Sequence, residues 1–170
     1  MNIINWFGNN MLAANHRTAG YTSRGDIEME IITQPSCIVV HCGAKTDRMD
    51  GAAANLFRKI MFKKVTKTAR HDRPVIINLH GVNYIDDNGL GAILSVMQAM
   101  QEKTDMLLCG AGENLKRIFK LTRVDGVLKS YESLDEAKQE AQHRVQQKMA
   151  SMPTMKNSGI WSRICSFGTN

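Results

Sequence analysis

The chain has 170 residues, 43% of them hydrophobic and 22% charged, with a net charge of +6 and a pI near 9.3. That composition suits a soluble globular protein with one core and room for extensions. No apolar run approaches the roughly 20 residues that span a bilayer, and no basic start leads into an apolar stretch, so a cytoplasmic chain is expected.

Basic residues alternate with acidic ones through the middle of the chain and form no recognition helix, which argues against direct binding of nucleic acid. After Glu140 the acids stop, while Arg144, Lys148, Lys156 and Arg163 continue. Cys37, Cys42, Cys109 and Cys165 lack C-x-x-C spacing, so neither zinc nor redox chemistry is indicated. No cofactor site is expected.

Residues 1–25 read as a flexible leader. Within it Ile3, Ile4, Phe7 and Met11 share helical spacing beside Trp6, which also fits a short amphipathic helix. From Asp26 the pattern turns to strands: Met29 and Ile31 alternate with Glu28 and Glu30, and Gln34-Pro35-Ser36 turns the chain into "CIVVHCG", a hairpin.

Asp50 can cap a helix whose apolar positions are Ala53, Leu56, Phe57, Ile60 and Met61. It runs into "FKKVTKTARHDR", where basic residues complement the negative end of the helix dipole. "PVIINLHGV" has the unbroken apolar texture of a strand covered on both faces. Leu90, Ile93, Leu94, Met97 and Met100 then stripe a second helix.

"MLLCGAG" reads as a strand, "ENLKRIFKL" as a helix and "GVLKSY" as a short strand. Ser133 and Glu136 form a capping box for a last, long polar helix. The order β-β-α-β-α-β-α-β-α predicts an α/β fold, a mixed and mostly parallel sheet covered by helices. Residues 26–150 form this domain, and 151–170 a basic tail expected to be disordered.

The segment "NYIDDNGLGAIL" places Asp86 and Asp87 at the end of the most buried strand, where α/β proteins commonly put function. Asp87 or Asn88 could cap the following helix, and Gly89 and Gly91 permit a tight turn and close packing. Adjacent carboxylates on a turn point apart, and no His or third acid stands at ligand spacing. An acid/base pair or a metal site is therefore disfavoured. His80 alone at a strand end does not change this. "CGAGEN" lacks the full G-x-G-x-x-G, and its Glu113 would repel a phosphate.

"PVIINLHGVNYIDDNGLGAIL" followed by "MLLCGAGENLKRIFKLTRVDGVLKSYESLDEA", with "CGAKTDRMDGAAANLFRKI" at the first helix, resembles the STAS domain of bacterial anti-sigma-factor antagonists. The resemblance implies a STAS-like sheet covered by helices and no catalysis. It also implies a loop of Asp86, Asp87, Asn88, Gly89, Leu90 and Gly91 that binds an anti-sigma factor or related protein kinase to release a sigma factor.

In that family the residue after the motif's first Asp is a Ser or Thr that the kinase phosphorylates. Here the position is Asp87, which a Ser/Thr kinase cannot esterify. Phosphoserine brings about −1.5 to −2 charge, so Asp87 is an imperfect mimic. Arg123 stands where the family commonly has a Gly that ends a helix. The alternative is a STAS subunit of a membrane transport assembly of the lipid ABC type, with Trp161 and Phe167 of the basic tail grazing an anionic membrane.

Overall fold

The computed structural model describes residues 29–42, 47–68, 73–101 and 103–151, and the backbone alone of 16–21. In chain order the strands are β1 (His16–Tyr21), β2 (Met29–Thr33), β3 (Ile38–Cys42), β4 (Arg48–Met49), β5 (Val75–Asn78), β6 (Tyr84–Ile85), β7 (Met106–Cys109) and β8 (Ser130–Tyr131). The helices are α1 (Gly51–Ile60), α2 (Asp87–Met100), α3 (Glu113–Leu121) and α4 (Leu134–Ser151).

Six strands form one sheet in the order β1-β2-β3-β5-β7-β8. The β2–β3 hairpin is antiparallel and closes at Gln34, whose N–H donates to the Cys37 carbonyl at 2.8 Å. From β3 onward every neighbour is parallel, which makes the sheet mixed, as its element order requires. Strand β5 lies between β3 and β7 and is buried along its whole length, in line with its unbroken apolar run.

One face of the sheet carries the larger core, where Phe57, Met61, Ile93, Val96, Met100, Leu115 and Phe119 meet Val40, Val75, Ile77 and Leu108. The opposite face is covered by α4, whose Ala137 and Ala141 pack on Val39, Ile76 and Leu107. Small residues on this otherwise polar helix let its axis sit close to the strands. The Ser133/Glu136 capping box forms: the Glu136 N–H donates to Ser133 Oγ at 3.2 Å, and Glu136 Oε2 accepts from the Glu132 N–H at 3.1 Å.

The structure departs from the expected elements in four places. Strand β1 pairs antiparallel with β2 inside the stretch expected to be leader; "HRTAGY" carries no apolar alternation to announce it. A second, two-stranded parallel sheet joins β4 to β6, with Arg48 opposite Tyr84 and Met49 opposite Ile85. Strands this short leave no periodic signal.

Beyond α1 the helix widens into a π-helical turn, Met61–Val65, before the short segment Thr66–Thr68. The Thr66 N–H reaches back to the Met61 carbonyl, so Lys63 and Lys64 stay exposed while Val65 and Thr66 are buried. Lastly, "GVLKSY" supplies only Ser130–Tyr131 to the sheet, since Val124–Gly126 is a 3₁₀ turn. The expected amphipathic cluster near Trp6 and the basic tail from residue 152 fall outside the described residues.

Candidate functional site

Asp86, in extended conformation (φ −97°, ψ −176°), is the N-cap of α2. The cap is therefore Asp86, not Asp87 or Asn88. Its Oδ1 accepts the Gly89 N–H at 2.7 Å, while Oδ2 accepts from Asn88 Nδ2 at 3.3 Å and from the Gly51 N–H at 3.4 Å. One carboxylate thus closes the amino ends of both α1 and α2, where free amides and aligned dipoles favour negative charge.

The Gly89 amide above all, with help from Asn88 and Gly51, holds the Asp86 carboxyl below its ordinary pKa against a smaller opposing effect of burial. Asp50, expected to cap α1 with its side chain, turns instead to Arg48, whose Nε donates to Oδ2 at 2.9 Å. Asp86, 35 residues beyond Gly51, takes over that duty.

Asp87 begins α2 exposed and, among the described residues, makes no side-chain hydrogen bond or ion pair. Asn88 and Gly91 are also exposed, Leu90 is half-buried against the core, and Gly89 is buried. The two carboxylates therefore diverge: Asp86 faces inward to amides and Asp87 faces solvent.

The two glycines differ as well. A Cβ on Gly89 would run into the Met49 carbonyl and lie 2.7 Å from Ile85 Cγ1. Only hydrogen fits there, because α2 starts directly against the β4–β6 ladder. A Cβ on Gly91 would meet nothing within 4 Å. Gly91 is thus not needed for the turn or for packing, contrary to the expectation for both glycines.

The site's floor is the β4–β6 pair, fixed by the Asn83 and Tyr84 N–H groups, which both donate to the Asp47 carbonyl at 2.7 and 3.0 Å. The Arg48 guanidinium lies 4.0 Å from the centre of the Tyr84 ring and bonds Asp50. Arg48, Tyr84 and Asp50 form an exposed cluster beside the corner that sequence reasoning missed, since it depends on a ladder two residues long.

The two carboxylates do not converge as an acid/base pair would. The amides hold the Asp86 carboxyl in its ionised form, and among the described residues Asp87 makes no side-chain hydrogen bond or ion pair. Among the described residues no group of three His, Cys, Asp or Glu is placed to hold a metal ion. The His80 amide donates to Asn78 Oδ1 at 2.9 Å. Gly110 (φ +69°) turns the chain after β7, where a Cβ would lie 2.7 Å from Asn78 Oδ1. Glu113, ion-paired with Lys116 at 3.0 Å, occupies the start of α3.

Cys37, Cys42 and Cys109 are free and buried. Burial pushes the Cys42 thiol up to about 12 and Cys109 to about 11, which leaves both as inert core groups. At the far end of α3, Arg123 itself adopts the left-handed conformation (φ 56°, ψ 25°) and so keeps the helix end that a glycine would make.

Residues 28–137 match the family model of the STAS domain. The fold is similar to that of an anti-sigma factor antagonist from Mycobacterium paratuberculosis, with a TM-score of 0.60 and 17% identity over 71% of this chain and 98% of that one. It is similar too to an anti-sigma-factor antagonist (STAS) domain protein from Planctomyces limnophilus, with a TM-score of 0.56 and 18% identity over 70% and 99% of the two chains. A murine anion transporter of solute carrier family 26 matches with a TM-score of 0.56 and 15% identity over 82% of this chain but 24% of its own. With more than half of its residues matched to the family model and this sheet and helix arrangement, the chain belongs to the STAS domain family.

Proposed function

We propose that the protein is a regulatory binding module without catalytic activity of its own. It works as an anti-sigma-factor antagonist, engaging an anti-sigma factor or related kinase through the corner of Asp86, Asp87, Asn88, Gly89, Leu90 and Gly91. The observation that carries this reading is the division of labour at the corner. Asp86 is spent on two helix ends, which holds the loop rigid, and Asp87, Asn88 and Gly91 are left facing solvent. A preformed exposed turn of this kind loses little entropy on binding.

Two likenesses support the same reading, the STAS match over 28–137 and the fold shared with bacterial antagonists. With a carboxylate at the position the family phosphorylates, binding is not switched by phosphate there. Incubation with candidate anti-sigma kinases and ATP, followed by mass spectrometry of the intact protein, tests this. No phosphate in the peptide containing Asp87 is the expected result, and stoichiometric incorporation there overturns the claim of independence. Asp87→Ser should bring such control back.

A membrane-transport role is the second reading, motivated by the fold shared with the murine anion transporter. Co-purification separates the two: an ATPase and permease select transport, a kinase of the GHKL type or a sigma regulator selects antagonism.

A further inference from the structure

We infer that the outer face of α1 and its π-helical continuation is a docking surface for an anionic phospholipid bilayer, independent of the 86–91 corner. Residues 51–68 contain no Asp or Glu, yet carry Arg58, Lys59, Lys63 and Lys67, all exposed. Among the described residues no carboxylate pairs with Lys59, Lys63 or Lys67, and Arg58 bonds only an amide, Asn55 Oδ1 at 3.0 Å. Among the described residues, several other surface cations do have carboxylate partners, as with Lys116 to Glu113 and Glu132, Arg144 to Glu140, and Lys148 to Asp105. Arg58 and Lys59 lie in the last turn of α1, and Lys63 and Lys67 lie in the segment that continues it, so complementation at a single helix end accounts for one of these pairs and not for both.

Geometry selects the partner. Lys59, Lys63 and Lys67 recur every four residues, about 6 Å per step and about 12 Å in all. Phe62, 40% exposed, stands among them. An aromatic ring among exposed cations suits the headgroup zone of an anionic bilayer, where the ring enters the interface and the ammonium groups meet phosphates. The inner side of this helix, with Ala53, Ala54, Phe57, Ile60, Met61 and Val65, is sunk in the core. The exposed half is therefore too shallow to enter the major groove of a duplex. A single aromatic likewise falls short of a stacking platform for a single strand.

The π-helical turn serves the surface directly. By spending an extra residue between Met61 and Thr66, it keeps Phe62, Lys63 and Lys64 outside while Val65 and Thr66 return to the core. The amino end of α1 meets Asp86, so the cations begin about 10 Å along the helix from that contact, and a docked molecule keeps its partner-binding corner free.

Sedimentation of the full-length protein with vesicles of phosphatidylcholine, alone or with phosphatidylserine, tests the proposal. Binding is expected only with phosphatidylserine and should weaken steeply with salt. K59E/K63E/K67E, whose sites are exposed and whose fold is checked by circular dichroism, should lower the partition coefficient on the order of a hundredfold. Phe62→Ala should weaken it less and leave the salt dependence in place. Equal binding of the triple variant and the wild type overturns the proposal and moves membrane contact to another part of the chain. Equal binding to both vesicle types, or binding to single-stranded RNA with none to vesicles, overturns it as well.

Discussion

Asp86 shows how much one side chain can organise. Three donors from two helix ends converge on it, although the sequence alone points to its neighbours as the cap. Asp86→Ala should destabilise the fold by about 1 kcal/mol at neutral pH, the usual cost of a lost N-cap. The folded carboxyl titrates below its unfolded value, so its contribution is complete above the ordinary carboxylate pKa and fades as pH falls through the depressed one. Denaturant titrations of wild type and variant should therefore converge on acidification; a gap that widens at low pH contradicts the assignment. The two glycines make a sharper pair. Gly89→Ala forces a methyl into the Met49 carbonyl and should cost about 1–3 kcal/mol, whereas Gly91→Ala enters open space in an exposed helix and should stabilise by about 0.5–1 kcal/mol. If the corner is an interface, Gly91→Ala also weakens the partner's binding while raising the melting temperature. Stability and affinity that rise together argue against contact at this point.

Elements were legible where their periodicity was long. The apolar stripes of α1 and α2, the unbroken run of β5, the hairpin turn at Gln34 and the capping box of α4 are all written in the residue order itself. What stayed hidden depends on partners far along the chain. The β4–β6 ladder pairs residues 36 apart, and β1 joins the sheet through backbone bonds that its mixed composition does not announce. The π-helical turn follows from the needs of the core: Val65 and Thr66 are buried, and a regular helix would turn Lys64 toward them. Arg123 is a case where the sequence raised the right question. A glycine was expected at that helix end, and the arginine holds the same left-handed conformation with a side chain attached. Arg123→Gly should relieve the steric cost and stabilise the protein by about 1 kcal/mol. An unchanged or lower denaturation midpoint would show that the arginine side chain compensates.

At the scale of the whole molecule, the sheet is a platform with two unlike covers. Three helices and the larger core lie on one face, α4 on the other, and the candidate site sits where α1 and α2 both begin, beside the β4–β6 ladder. The position of the corner could be anticipated, because it follows the most buried strand. Its anchoring could not, because the bond from Gly51 to Asp86 exists only after folding. Arg48 and Tyr84, stacked on one another and exposed on the β4–β6 ladder, offer a partner an aromatic ring and a cation to meet. The claim on which the rest depends is that a partner protein reads this corner in its unmodified state. Affinity purification from the source cells with wild type and Asp87→Lys, matched for stability, tests it most directly. The account predicts that an anti-sigma factor or GHKL-type kinase retained by the wild type is lost from the lysine variant, whereas equal retention by both proteins would contradict it.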